Sequence, residues 1–469
     1  MIRIFSQYVS VKSLLLAVLE GILMAAALVG GVKLRFWGDP AAFEAYTAWP
    51  DFALQAFVIV LILQACFYYN DLYDLTAVRG RSDQVLRVGQ SLGAACLILG
   101  LIYFLAPGLL IGRGIFFITI LIIPPSVLVA RVAMESAWHA TAPPVPTVIL
   151  GAGQLGLTVA RELAQRDDLN MKLLGFVDSS SSSEPPGDRL FGHQVLGTTP
   201  NLQEIVRSHG VSRIIVAVDD RRGSLPIEEL ARLRLQGIHV EDAHTALAAL
   251  TGRVWLNAVY PSWFVFSDGF RRSRLTDALK RAADLLLGLV GLVLALPLMI
   301  LVAIAVRLDS RGPILYRQVR VGRKGVCFEL LKFRSMRTDA EEENGAQWAQ
   351  ENDPRATRLG RWLRPFRLDE LPQFVNVIRG QMSFVGPRPE RPIFVDRLRS
   401  RIPFYDERHS VRPGLTGWAQ IQFPYGASVE DAIRKLEYDL FYLQNLSVAF
   451  DCAIVFQTVR IVLFGRGAR

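Results

Sequence analysis

The sequence predicts a membrane protein of mixed class: a four-helix transmembrane bundle, an α/β Rossmann-like middle domain, and an α-rich candidate catalytic domain with a re-entrant membrane helix. Three observations carry that prediction. The chain of 469 residues is 51% hydrophobic and only 20% charged, where a soluble domain has about 25% charged residues. A glycine-rich turn sits in a strand–turn–helix context near residue 151. A fifth apolar run, broken by a proline and basic on both flanks, precedes an arginine-rich C-terminal third. A chain this apolar is not disordered as a whole, and the expected limits are 1–140 for the bundle, 145–265 for the middle domain and 271–469 for the last.

Four apolar stretches open the chain: Ser13 to Leu34, Phe52 to Asn70, Ser91 to Phe104 (extended to Pro107) and Ile115 to Val132. Most are near the length that covers a bilayer core. No small-residue cleavage pattern follows the first, so it is expected to stay as an anchor. With the N-terminus inside, Arg3, Lys12, Arg79, Arg81, Arg87 and Arg131 fall on the cytosolic side and Lys33, Arg35 and Arg113 on the other, the sense of the positive-inside rule.

After Pro143, Pro144 and Pro146 comes the β-run Val148-Ile149-Leu150, then Gly151-Ala152-Gly153-Gln154-Leu155-Gly156, a helical pattern through Leu163, and a second β-run, Leu173 to Val177, ending at Asp178. Strand, glycine turn, helix, strand and acid is the order of a dinucleotide site, with Gly151, Gly153, Gly156 and Asp178 as the candidate cofactor contacts. A lone motif of this kind is weak evidence, and a tight turn packing helix on sheet is the favoured reading. Ser179 to Gly187 reads as a loop. Redox sugar chemistry on such a module would want a Tyr-x-x-x-Lys pair. The only tyrosine between Val145 and Phe270 is Tyr260, with no lysine after it there.

Leu285 to Val306 is long enough to span, but Pro297 interrupts it and Gly288 and Gly291 thin its first half. Arg271, Arg272, Arg274, Lys280 and Arg281 precede it, and Arg307, Arg311, Arg317, Arg320, Arg323 and Lys324 follow. Both ends therefore favour the cytosolic face. The expectation is a re-entrant helix over 284–307 that enters, breaks at Pro297 and returns. The net charge of +9 borders lipid-seeking segments, which favours anionic head groups and phosphorylated substrates over nucleic acid as partners. Four scattered cysteines and six scattered histidines give no disulfide framework, zinc spacing or His-based triad.

From Asp309 onward the sequence is dense in arginine, as a phosphate site requires. Leu368-Asp369-Glu370-Leu371-Pro372-Gln373 opens a helical stretch to Arg379, with Gly380 as its stop. Two carboxylates at a helix N-terminus among arginines are expected to stay ionised. Asp369 is then a candidate nucleophile and Glu370 a candidate Mg²⁺ ligand. Taken alone, such a pair is usually a capping device.

Its context changes the reading. From about Arg274 to Arg469, in order, stand Lys332-Phe333-Arg334-Ser335-Met336, Asn352-Asp353-Pro354-Arg355, Leu363-Arg364, the Asp369-Glu370 segment, Asn376-Val377, Met382 to Glu390 with its Pro387-Arg388-Pro389 turn, Pro413 to Gln420, and Tyr438-Asp439. This series resembles the sugar-transferase domain of the monotopic bacterial polyprenol-phosphate phosphoglycosyl transferases. With the front half, it resembles their large form. The segment from Phe423 through Ser428 and the ending Gly465 to Arg469 are similar to the exopolysaccharide-associated branch.

The resemblance implies that Asp369 attacks the sugar-bearing phosphate of a nucleoside diphosphate sugar, with a uridine diphosphate the usual donor. Polyprenol (undecaprenyl) phosphate then accepts the phosphosugar. It also implies Mg²⁺ on Glu370, phosphate contacts from Arg364 and Arg388, and substrate contacts from Lys332, Arg334 and Asp439. The implied location is the bacterial inner membrane, multi-pass, with the catalytic domain on the cytoplasmic face. A homo-oligomer stays open. Arg367-Leu368 departs from the small polar residue many relatives carry before the acid, which bears on donor preference. Trp418 suits packing or, more commonly near a membrane, the interface. The last helix, Leu446 to Phe464, carries Asp451 and Arg460 and is expected to lie in the head-group plane. The rival readings are an NAD-dependent, membrane-anchored sugar-nucleotide dehydratase and a non-enzymatic, nucleotide-sensing scaffold of polysaccharide assembly.

Overall fold

The computed structural model describes residues 2–75, 81–141, 143–178, 189–190, 192–218, 225–256, 270, 273–337, 353–423, 426 and 428–464. Arg79, the loop from Ser179 to Gly187, Tyr260, Arg271, Arg272, Asn352, Pro424, Tyr425, Ala427 and Gly465 to Arg469 lie outside the described residues. The chain forms two compact units, residues 1–246 and 247–469.

In the first unit, α1 (Val11–Arg35), α3 (Pro50–Tyr69), α4 (Arg81–Leu105) and α5 (Arg113–Thr141) contain the four expected apolar stretches, with a short α2 (Pro40–Thr47) between the first two. Each of the four is long and apolar enough to cross a membrane. Ser10 caps α1 and Pro50 opens α3 at its first turn, the positions where a hydroxyl and a proline help a helix start. Met24, Leu28, Phe67, Leu99 and Ile123 meet in a common core. Arg131, counted above among the cytosolic cations, is instead buried against Glu20 at 2.7 Å, and it donates to the Leu72 carbonyl at 3.0 Å. A buried ion in an apolar bundle needs such a partner.

A hairpin absent from the sequence reading, β1 (Ile2–Ile4) and β2 (Gln7–Val9), precedes the bundle. The hydroxyl of its Tyr8 accepts from Arg213 at 2.6 Å and donates to Glu241. Those partners lie in the sheet built of β3 (Val145–Leu150), β4 (Met171–Asp178), β5 (Arg189–Leu190), β6 (His193–Thr198), β7 (Arg213–Val216) and β8 (His239–Asp242), in the order β5-β6-β4-β3-β7-β8. All its pairings are parallel except β5 with β6. The glycine turn joins β3 to α6 (Gln154–Ala164). At Gly151, φ is +112° and an added Cβ would sit 2.4 Å from the Ala217 carbonyl oxygen. At Gly156 it would sit 2.1 Å from the Gly151 oxygen. Both glycines are thus required by close backbone approach. Gly153 is the N-cap of α6, and the Asp178 carbonyl accepts from Thr199.

The second unit begins earlier than the expected boundary at 265. Val254 N–H donates to the Glu437 carbonyl, Arg253 pairs with the Glu437 carboxylate at 3.1 Å, and Trp418 Nε1 donates to the Gly252 carbonyl at 2.8 Å. Trp418 is therefore an interior residue, packed on Phe441 and Phe450, and the interfacial role is corrected. After α7 (Leu202–Ser208), α8 (Ile227–Leu235) and α9 (Ala243–Thr251), the dominant element is α10 (Arg274–Asp309), a fifth helix long and apolar enough to cross. Helical structure continues through Pro297. The expected break is corrected to a proline inside an unbroken helix, where it removes one hydrogen bond.

Its two ends are docked, and in its middle Gly288 and Gly291 face Val377 and Phe374 while other residues are exposed. Lys280, read above as a basic flank, donates to Asp451 at 2.6 Å and to the Val385 carbonyl. Asp284 accepts from Ser383 Oγ and Phe384 N–H. Beyond Pro297, Val302 and Val306 pack with Phe333 and Leu363. Between these ends Leu286, Leu294 and Leu301 are each more than 60% exposed. The last helix, Val448–Phe464, carries Asp451 into this docking network, where Tyr442 also donates to it at 2.7 Å. Internal pairing, rather than head groups, accommodates that acid.

Candidate active site

Four short segments build the site. The antiparallel pair β9 (Leu315–Val321) and β10 (Cys327–Phe333) carries Lys332. α11 (Arg358–Leu363) ends on Arg364; Thr357 caps its start, and Gly360 lets it approach β10, since a Cβ there would lie 1.9 Å from the Ser335 carbonyl oxygen. A tight turn, Leu368–Glu370, holds the two acids, and α12 (Gln373–Ile378) follows it. Asn376 is fully buried, with Oδ1 accepting from Leu331 N–H and Nδ2 donating to the Glu329 carbonyl. That double bond ties α12 to β10 and brings Lys332 opposite Glu370.

The fourth segment is the Pro387-Arg388-Pro389 turn, which follows β11 (Ser383–Val385). This strand pairs in parallel with β12 (Gly414–Thr416). A Cβ on Gly414 would lie 2.1 Å from Gly386 N, and one on Gly417 2.1 Å from Gly386 O. Only glycine permits this crossing of chains, and it fixes where Arg388 emerges.

Within the site, Glu370 Oε1 accepts from Lys332 Nζ at 2.9 Å and from Arg388 at 2.8 Å. Burial pushes the Glu370 carboxyl up, but Arg388, Lys332 and Arg367 together hold it well below the usual carboxylate range. Asp369 is buried too, and among the described residues its carboxylate has no hydrogen bond or ion pair. Burial and the Glu370 charge push its carboxyl up, against Lys332, Arg364 and Arg388. The adjacent acids are thus driven in opposite directions. Side-chain cations hold Glu370 ionised; α12 is only six residues long and contributes little dipole.

Residues 275–465 match the bacterial sugar transferase family, and residues 69–232 match a CoA-binding domain family. The chain is 42% identical over 240 residues to the UDP-N-acetylgalactosamine-undecaprenyl-phosphate N-acetylgalactosaminephosphotransferase of Aeromonas hydrophila, covering 51% of this chain and 56% of that protein. It is 45% identical over 189 residues to the UDP-glucose:undecaprenyl-phosphate glucose-1-phosphate transferase of Escherichia coli K12, covering 40% of each. The chain therefore spans about half the length of these relatives. Against the exopolysaccharide production protein PSS of Rhizobium leguminosarum it is 40% identical over 189 residues, which cover 93% of that protein. The chain belongs to the bacterial sugar transferase family.

Within this sugar transferase, the structure brings Asp369, Glu370, Lys332, Arg364 and Arg388 together. It removes two residues from direct substrate contact. Arg334 is buried and donates to the carbonyls of Ser310 at 2.6 Å and Arg311 at 3.1 Å. It caps the end of α10, which corrects the substrate role. Asp439 is 1% exposed and paired with Arg408 at 2.9 Å, and Arg408 in turn donates to the Arg388 carbonyl at 3.0 Å. Asp439 acts through Arg408 on the backbone of Arg388. Sequence reasoning assigned no role to Arg408, and it named Asn376 and Gln420 only as members of the Asn376-Val377 and Pro413–Gln420 motifs and Arg367 only as a departure beside the acids.

Proposed function

We propose that the chain moves a phosphosugar from a nucleoside diphosphate sugar, a uridine diphosphate sugar, to undecaprenyl phosphate through a covalent ester on Asp369. The observation that carries this reading is the division of labour between the two buried acids. Glu370 is neutralised by cations, and Asp369 stands bare beside them, its carboxyl raised. A more basic carboxylate is the better nucleophile once it has lost its proton, and burial strips it of competing water.

In the first step an Asp369 carboxylate oxygen bonds to the sugar-bearing phosphorus. The bond from that phosphorus to the bridging oxygen breaks, and its electron pair leaves with the nucleoside monophosphate. In the second, a phosphate oxygen of the polyprenol phosphate attacks the same phosphorus and the bond to Asp369 breaks. Lys332, Arg364 and Arg388 offset the charge that develops on the phosphoryl oxygens. Because Lys332 and Arg388 occupy Oε1 of Glu370, Oε2 and Asp369 are the donors left for a cation. That fits Mg²⁺ bound by one or two carboxylates together with substrate phosphates, and no cluster of three metal-ligating side chains exists among the described residues. When bound, Mg²⁺ would supply charge neutralisation at the diphosphate.

The exposed apolar residues of α10, with docked residues on both sides of Pro297, support seating of this helix in the cytoplasmic leaflet of a bacterial inner membrane. A lipid-borne acceptor could then reach a site built at the surface. The product would start a lipid-linked chain for exopolysaccharide. Gly151 and Gly156 are accounted for by backbone packing, so the scheme needs no nucleotide in the middle module.

The test is incubation of the membrane-embedded chain with nucleotide sugar labelled on the sugar, with no lipid added. Release of nucleoside monophosphate and label retained on protein are expected for the wild type and not for Asp369→Asn. Label that appears only on lipid, and only when lipid is present, would establish direct transfer and overturn the scheme.

A further inference from the structure

Four cations, Lys332, Arg364, Arg367 and Arg388, act on the acids Asp369 and Glu370. The cluster therefore carries two positive charges that the two acids do not match, the charge complement of a diphosphate. Arg367 is the member whose position is hardest to explain without a ligand. Its backbone is left-handed, at φ 54° and ψ 24°, a conformation that favours glycine or asparagine and that arginine seldom adopts. Strain of this kind persists where a function holds it in place. The Arg367 side chain meets Oε1 of Gln420 at 3.4 Å, and Arg388 meets the same oxygen at 3.2 Å. Two like charges are thus bracketed by one neutral acceptor.

That sharing also orients the amide. With both guanidinium groups on one side, the Gln420 oxygen must face them, and Nε2, which is buried, has no partner among the described residues.

We propose that Arg367 is a further phosphate-binding residue for the diphosphate of the nucleotide sugar, and that Gln420 is the positioning residue that holds it beside Arg388. This rests on the transfer reading above and deepens it.

The left-handed backbone supplies a clean variant. Arg367→Gly keeps the conformation that the turn needs and removes the side chain with its guanidinium. In the full chain in lipid, equilibrium binding of a uridine diphosphate sugar should weaken roughly ten- to hundred-fold, with the donor KM rising in step. Added guanidinium should restore part of the loss, and the melting temperature should be no lower than wild type. Gln420→Leu should weaken binding less, and in the Arg367→Gly background it should add less than its own separate effect.

Wild-type donor affinity in Arg367→Gly overturns the proposal. So does a loss that guanidinium fails to restore and that comes with a lowered melting temperature, since Arg367 would then be structural. Asp369→Asn, run alongside, separates the two ideas. If it still retains label, the covalent scheme fails, while donor binding by Arg367→Gly continues to decide the role of Arg367.

Discussion

Glu370 and Asp439 are both buried acids that take an arginine at hydrogen-bond distance, 2.8 Å from Arg388 in one case and 2.9 Å from Arg408 in the other. Their carboxyls nevertheless move in opposite directions. Burial acts on both. At Glu370 it is outweighed by Arg388, Lys332 and Arg367, so the acid stays well below its ordinary range. At Asp439 burial, helped by the Glu390 charge, wins over Arg408 and Lys435 and pushes the carboxyl up to about 6. Arg408 also donates to Tyr405 at 2.7 Å and to the Arg388 carbonyl, so its charge is shared. The state of a buried acid therefore follows the balance of burial against all the charges that face it, not the presence of one short ion pair. Arg388 joins the two clusters: Glu370 holds its side chain and Arg408 its backbone.

The largest expected effect comes from breaking the stronger cluster. Arg388→Met preserves length and removes the charge that faces both Glu370 and the developing phosphoryl oxygens. The rate of label transfer to Asp369 should fall roughly 10²–10³-fold, the usual cost of one preorganised donor. Lys332→Met, which leaves Arg388 and Arg367 on Glu370, should cost less. A time course of protein labelling ranks the two, and the reverse order would break the argument that Arg388 dominates.

Much of this cluster is legible in the sequence because its members stand in short ordered motifs: Lys332 in Lys-Phe-Arg-Ser-Met, the acids before Pro372, Arg388 between two prolines. The apolar runs likewise announce α1, α3, α4, α5 and α10 by length alone. Pairing is not legible. Nothing local says that Arg334, two residues from Lys332, turns away to cap α10, or that Asp439 meets Arg408 across 31 positions. Charge distribution counts Arg131 on the cytosolic side and Lys280 in a basic flank, but it does not show that each is matched to a distant acid, Glu20 and Asp451. Trp418 stays open between packing and the interface for the same reason: an indole suits either, and the Gly252 carbonyl that accepts from its N–H lies 166 residues away.

The weaker cluster should show itself in pH dependence. Folded Asp439 keeps its proton up to about 6, while the unfolded carboxyl releases it near 3.8. The folded state binds more protons across that window, so the contribution to stability is complete below the lower value and is lost as pH rises through the upper one. At about 1.4 kcal/mol per unit of displacement, the loss is about 3 kcal/mol. Asp439→Asn carries no titrating group and should flatten this slope. Melting temperatures of the two proteins in detergent between pH 4 and 7 check it; parallel curves would mean that Arg408 holds Asp439 ionised throughout, and the contrast with Glu370 would vanish.

Tyr405→Phe should give the smallest effect and the sharpest control. It removes the hydroxyl oxygen that accepts from Arg408, at a cost of about 1.5 kcal/mol for a hydrogen bond to a charged group. Burial pushes the Tyr405 hydroxyl up from its ordinary range, so it does not titrate between pH 4 and 8 and its loss should lower the melting curve evenly across that range. The Asp439 slope should survive, because burial, not Tyr405, sets it. Labelling should slow only a few-fold, since Arg408 reaches the chemistry through one carbonyl of Arg388. A pH-dependent effect of Tyr405→Phe would mean that the tyrosine shapes the Asp439 proton affinity, and burial with the facing charges would no longer be enough to explain why the two acids part.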